Sequence, residues 1–109
     1  MLDYRFHHMR DVRDEKHELA VTANRISQPF KMLNSLVNLR VDVEAGWKED
    51  TKLYVKFEWS TDGSIFYEVG TFAIIDEHHG IIFPKWGDYI RYEIIVEGDD
   101  QCLDVVLRF

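Results

Sequence analysis

One cysteine in 109 residues leaves Cys102 without an internal disulfide partner. With no CxxC pair, the chain also lacks a paired-thiolate zinc or redox motif, so its stability must come from packing. No apolar run approaches the ~18–20 residues that span a bilayer as a helix. The opening MLDYRFHHMRD lacks the basic-then-apolar order of a secretory signal, and no membrane partner is expected. Positive charge is short too: 13 Lys and Arg stand against 20 Asp and Glu, a formal charge of −7. That balance opposes a phosphate backbone, whose binding depends on Lys and Arg displacing counterions. The early basic residues Arg5, Arg10, Arg13 and Lys16 alternate with Asp3, Asp11, Asp14, Glu15 and Glu18, the pattern of a solvated mixed-charge surface. Nucleic acid is not expected as a partner.

Motifs of catalysis are equally scarce. No serine sits in a G-x-S-x-G elbow, and no glycine-rich phosphate loop is present. Carboxylate pairs are plentiful because acids are plentiful, but no insertion forms a pocket that would desolvate one and raise its pKa. The expectation is a non-enzyme without a cofactor.

What the chain has is two-residue alternation, the period of half-buried strands. SLVNLRVDVE sets Val37, Leu39, Val41 and Val43 against Asn38, Arg40, Asp42 and Glu44, and KLYVKFEWS sets Leu53, Val55, Phe57 and Trp59 against Tyr54, Lys56 and Glu58. DYIRYEIIVEG turns Ile90, Tyr92, Ile94 and Val96 inward, and CLDVVLRF does so with Leu103, Val105, Leu107 and Phe109. Weaker alternation marks residues 4–9, 18–26, 65–75 and 80–83. Residues 27–35, SQPFKMLNS, read as a loop or a single helical turn over one end. Turn chemistry at Ala45-Gly46, Asp62-Gly63 and Gly98-Asp99-Asp100-Gln101 separates the runs. About eight short strands at this spacing describe one domain over 1–109, an all-β antiparallel sandwich of jelly-roll or immunoglobulin-like type.

Histidines pair as His7-His8 and His78-His79, with His17 apart. On a strand, adjacent residues face opposite ways, so neither pair grips one metal. The same-face sets Asp76 with His78, or Glu77 with His79, each lack the third and fourth ligands a zinc site needs. Glu97, Asp99, Asp100 and Asp104 offer oxygens for calcium without the EF-hand arrangement, and read as a solvated turn. No metal is expected. In WSTDGSIFYEVGTF, Asp62 and Gly63 supply the positive-φ geometry of a hairpin, with Ser60 and Thr61 bonding the turn backbone.

Outward positions carry Leu36, Tyr54, Tyr89, Ile95 and Val106 among the charges. Several such groups on neighbouring strands would make an interface patch. Four aromatics at predicted loops, Trp47, Phe66, Tyr67 and Trp86, are those available for a second reading, a carbohydrate-binding or adhesion module. The alternative for each is packing at the edge of the core.

VKFEWSTDGSIFYEVGTF followed by GDYIRYEIIVEGDDQCLDVVLRF resembles small β-sandwich proteins of bacteriophage structural gene modules. The shared positions are Ser60, Asp62, Gly63, Phe66, Val69 and Phe72, then Gly87, Tyr89 and Arg91, within residues 35–109. Discoidin-like and carbohydrate-binding sandwiches use similar STDG hairpins. The acidic EGDDQ turn departs from the Ser-rich final hairpin of the phage proteins. The resemblance implies a virion component, of capsid decoration or head or tail accessory type. Its implied partners are other virion proteins or copies of itself, oligomeric in an assembly built in the bacterial host cytoplasm.

Overall fold

The computed structural model describes residues 14–98 and 100–109. Among them, nine strands form two antiparallel sheets: β1 (Glu15–Val21), β2 (Arg25–Ile26), β3 (Phe30–Lys31), β4 (Leu36–Ala45), β5 (Lys52–Ser60), β6 (Tyr67–Ile74), β7 (His78–Pro84), β8 (Tyr89–Glu97) and β9 (Leu103–Arg108). One sheet runs β1-β9-β4-β7. The other runs β2-β8-β5-β6, with β3 also paired to β8. No helix among the described residues is long and apolar enough to cross a membrane.

The pairing is nested. β5 pairs β6, β4 pairs β7, β2 and β3 pair β8, and β1 pairs β9. The chain thus resembles one long hairpin closed from its centre outward and folded over on itself, with β4–β9 and β5–β8 pairs sealing the fold. β2 and β3 together fill one strand place, so eight places divide equally between two sheets. This is a jelly roll, the first of the two sandwich types that the alternation allows.

Alternation directs the core. Val37, Leu39, Val41 and Val43 face Leu53, Val55, Phe57, Trp59, Ile90, Tyr92 and Ile94 across the sandwich, all buried, with Leu103, Val105, Leu107 and Phe109 completing the interior. Aromatic rings tie the sheets together. Phe57 on β5 lies 5.0 Å from Phe83 on β7 and 6.3 Å from Phe109 beyond β9. Phe30 meets Phe109 edge-on at 5.0 Å. Such tilted and edge-on pairs add to the burial of large rings.

Two stretches differ from expectation. The 18–26 run is broken between the sheets: Ala20 takes φ 52°, the pairing with β9 slips between Glu18 and Val21, and the Asp104 carboxylate accepts the Ala20 amide at 2.9 Å. An Asp on the neighbouring strand offers the backbone a partner outside the ladder, which alternation alone cannot register. Residues 27–35 contain no helical turn; they cross between sheets and pair at Phe30–Lys31, because burying Phe30 and Met32 recruits the segment to the core. The expected strand at 4–9 and the His7-His8 pair lie outside the described residues.

Candidate functional site

The Ser60-Thr61-Asp62-Gly63 segment is a self-contained turn. The Ser60 hydroxyl donates to Asp62 Oδ1 at 2.8 Å and accepts the Asp62 and Gly63 amides at 3.2 and 2.8 Å. Asp62 Oδ1 in turn accepts the amides of Ser64 and Ile65 at 2.8 and 3.1 Å. Those backbone donors, with the Ser60 hydroxyl, hold the Asp62 carboxyl down to about 2. Gly63 stands at φ +83°, and the Tyr89 ring lies 3.7 Å from where a Cβ would be. The loop is longer than a two-residue hairpin, running from the end of β5 at Ser60 to the start of β6 at Tyr67.

Beside this turn, at one end of the sandwich, a cleft of about 300 Å³ is lined by Trp59, Ser60, Thr61, Tyr67, Glu68, Val69 and Trp86. Its walls follow from register. Trp59 pairs with Tyr67 and Phe57 with Gly70, so β6 carries one extra residue and bends at Glu68-Val69. A bulge of this kind on an edge strand re-aims side chains, and here three consecutive residues, Tyr67, Glu68 and Val69, reach one cleft. The opposite wall is the 85–88 loop. It is pinned by the Lys85 amide to the Ser35 carbonyl at 2.9 Å, by the Met32 amide to the Asp88 carbonyl at 2.8 Å, and by a 3.0 Å Lys85–Asp88 ion pair. Gly87 packs against the end of β5 so closely that a Cβ would lie 2.5 Å from the Ser60 carbonyl oxygen. That contact sets Trp86 beside the turn.

Tyr67 and Trp86 leave 66% and 67% of their surface exposed, whereas Trp59 is 2% exposed. Two rings flank the cleft and a third is buried in its lining. The Trp59 indole nitrogen is buried without a hydrogen-bond partner among the described residues. Ser60 has spent its hydroxyl on the turn, which leaves Thr61, Glu68, the Tyr67 phenol and the Trp86 indole as the polar members of the lining. Glu68 is held only loosely, 3.8 Å from Lys56.

The four aromatics singled out in the sequence are therefore divided. Tyr67 and Trp86 share the cleft. Phe66 lies over the Arg91 guanidinium at 4.2 Å, and Arg91 is bound to Glu58 at 2.7 Å. Trp47 lines a different cleft by Leu53 and Ile74, towards the far end of β5. The lining by Glu68 and Val69 was not legible, because strict alternation sends adjacent residues to opposite faces and the bulge has no mark in the sequence beyond Gly70.

The five outward apolar positions do not form one patch. Tyr54 and Ile95 are cross-strand neighbours, half-buried, on the outer face of the β2-β8-β5-β6 sheet. Tyr89 sits on that face beyond the Lys56–Glu93 and Arg91–Glu58 pairs and is half-buried against the turn. Leu36 belongs to the other sheet and is 57% exposed; beside it Ile82 is 65% exposed. Val106 is fully buried, so its expected exposure is corrected. Its cross-strand neighbours are His17 and Asp42, polar residues that close over the sheet in an ionic cluster.

Asp42 is the hub of that cluster. It pairs with Arg108, with Arg40 Nε at 3.1 Å, and with Nδ1 of His78 at 2.8 Å across the β4–β7 ladder. Burial pushes its carboxyl up, but the His78 and Arg40 hydrogen bonds and the Arg40 and Arg108 charges outweigh this and hold it below the usual range. Arg108 also reaches Glu15 at 2.8 Å. His78 thus turns to Asp42, and no group of three or more metal-ligating side chains occurs among the described residues. In the acidic 97–104 turn, the Lys48 ammonium donates to the Asp100 carbonyl at 3.0 Å, and Asp104 is committed to the Ala20 amide. Asp99 lies outside the described residues. Cys102 is exposed.

No protein-family model, curated protein or solved structure matches this chain.

Proposed function

We propose that the chain is a non-enzymatic structural and interaction protein of a phage or phage-like particle, assembled in the bacterial cytoplasm through a sheet face and its edge. The observation that carries the contact surface is the apolar strip on β4 and β7. Leu36 pairs with Pro84 and Asn38 with Ile82, so Leu36, Ile82 and Pro84 are cross-strand and diagonal neighbours on one outer face, all exposed. Leu33, 82% exposed, lies just before them in the chain. Leu36 and Ile82, exposed side by side with Pro84, form the kind of contiguous apolar patch that marks contact surfaces. β7 is also the outermost described strand of its sheet, and an edge strand offers backbone groups to a neighbour.

The virion assignment draws on the resemblance across residues 35–109 and on the jelly-roll topology, which viral capsid and lectin domains share. The second of these is fold-level analogy. The test is mass spectrometry of purified particles from a host expressing the gene. The chain is expected in the particle at a fixed stoichiometry, and its absence from washed particles would reject the assignment.

A further inference from the structure

We propose that the cleft between Tyr67 and Trp86 is a binding site for an uncharged pyranose sugar at the end of a glycan chain. This goes beyond the particle assignment and does not depend on it, since neither Leu36, Ile82 nor Pro84 lines the cleft.

The shape comes first. A cleft of about 300 Å³ stands at the small end of ligand sites, matching one or two sugar rings rather than a folded partner. Its two walls are the exposed rings of Tyr67 and Trp86. A pyranose has C–H-bearing faces that stack on aromatic rings and an equator of hydroxyls that hydrogen-bond outward. The cleft offers both complements: the aromatic residues Tyr67 and Trp86, with Thr61 and Glu68 among the polar lining residues.

Electrostatics then choose among sugars. No Lys, Arg or His lines the cleft, its one acidic lining residue, Glu68, lies 3.8 Å from Lys56, and the chain carries a formal charge of −7. A carboxylated or phosphorylated sugar would find no guanidinium in the lining to receive it. A neutral hexose needs no such partner. Construction supports the site as well: the bulge at Glu68-Val69 and the contact of Gly87 with Ser60 hold both walls in place without ligand, which lowers the ordering cost of binding.

The experiment uses the full chain, labelled with 15N, whose three tryptophans report three places. The probes are glucose, galactose, N-acetylglucosamine and their disaccharides, with glucuronate and N-acetylneuraminate as charged comparisons. One or more neutral sugars should move the Trp86 and Trp59 indole signals saturably and leave Trp47, in its separate cleft, unmoved. Trp86→Ala should weaken that binding at least 10-fold, while Trp47→Ala should not. Trp86 is largely exposed, so the variant should keep the wild-type backbone spectrum. No saturable shift from any neutral sugar, shifts that survive Trp86→Ala, equal movement of Trp47, or preference for the charged sugars would each overturn the assignment. Leu36→Asp should leave the titration unchanged, so loss of assembly and loss of sugar binding are read separately.

Discussion

Replacing Gly87 with alanine tests how the cleft is built. The added Cβ would stand 2.5 Å from the Ser60 carbonyl oxygen and 2.9 Å from its carbon, where ordinary contact begins near ~3.5 Å. One side must therefore retreat by about 1 Å. Ser60 is held in the ladder opposite Tyr89 and by its turn hydrogen bonds, and the 85–88 loop is tied to Ser35 and Met32. Neither yields freely, so the cost should match an overpacked interior, about 1–3 kcal/mol. For a domain near this size each kcal/mol lowers Tm by ~4–8 °C, so a fall of at least ~4 °C is expected. Gly80→Ala is the internal control: a Cβ there meets nothing within 4 Å, and a compatible Gly-to-Ala change stabilises by ~0.4–1 kcal/mol. Thermal melts followed by circular dichroism, with urea titrations to check that the m-value is unchanged, measure both. Equal Tm for Gly87→Ala and Gly80→Ala would refute the close packing that places Trp86.

Three further outcomes are expected. Gly63→Val should cost about 1–3 kcal/mol, since a β-branched residue is strained at φ +83°, and an unchanged urea midpoint would remove the turn geometry. Asp42 has a folded pKa below its unfolded value, so its contribution is complete above the unfolded carboxyl range near ~4 and drains away as pH falls through the folded value. Asp42→Asn should therefore be less stable at pH 7 by about 1–3 kcal/mol and lose less stability than wild type between pH 5 and pH 3 (about the range of carboxyl titration); parallel pH profiles would contradict this. Leu36→Asp and Ile82→Asp should leave monomer stability within about 0.5 kcal/mol, as exposed sites do, yet reduce incorporation into particles. Normal incorporation would exclude the strip as a contact.

Alternation read the inward faces of the sandwich well. Val37, Leu39, Val41 and Val43, and likewise Leu53, Val55, Phe57 and Trp59, are buried as the period demands, because a one-residue slip would turn the whole set to water. It failed on an outer face that side chains from neighbouring strands cover. Val106 looks outward by parity but is covered, as Asp42 collects Arg40, Arg108 and His78 from three strands. Those contacts join residues 36 and 66 positions apart, a distance that composition cannot bridge. The candidate site was half legible. Tyr67 and Trp86 stood out as aromatics at loops, but the bulge that brings Glu68 and Val69 to the cleft lining and the Gly87–Ser60 contact depend on tertiary register.

Hydrogen exchange on purified particles, compared with the free chain, tests the proposed role most directly. In the particle, peptides covering residues 33–38 and 80–84 should be strongly protected relative to the free protein, while the 60–69 segment beside the cleft exchanges alike in both. Particles that lack the chain, or in which residues 33–38 and 80–84 exchange as fast as in free solution, would contradict assembly through the β4–β7 face.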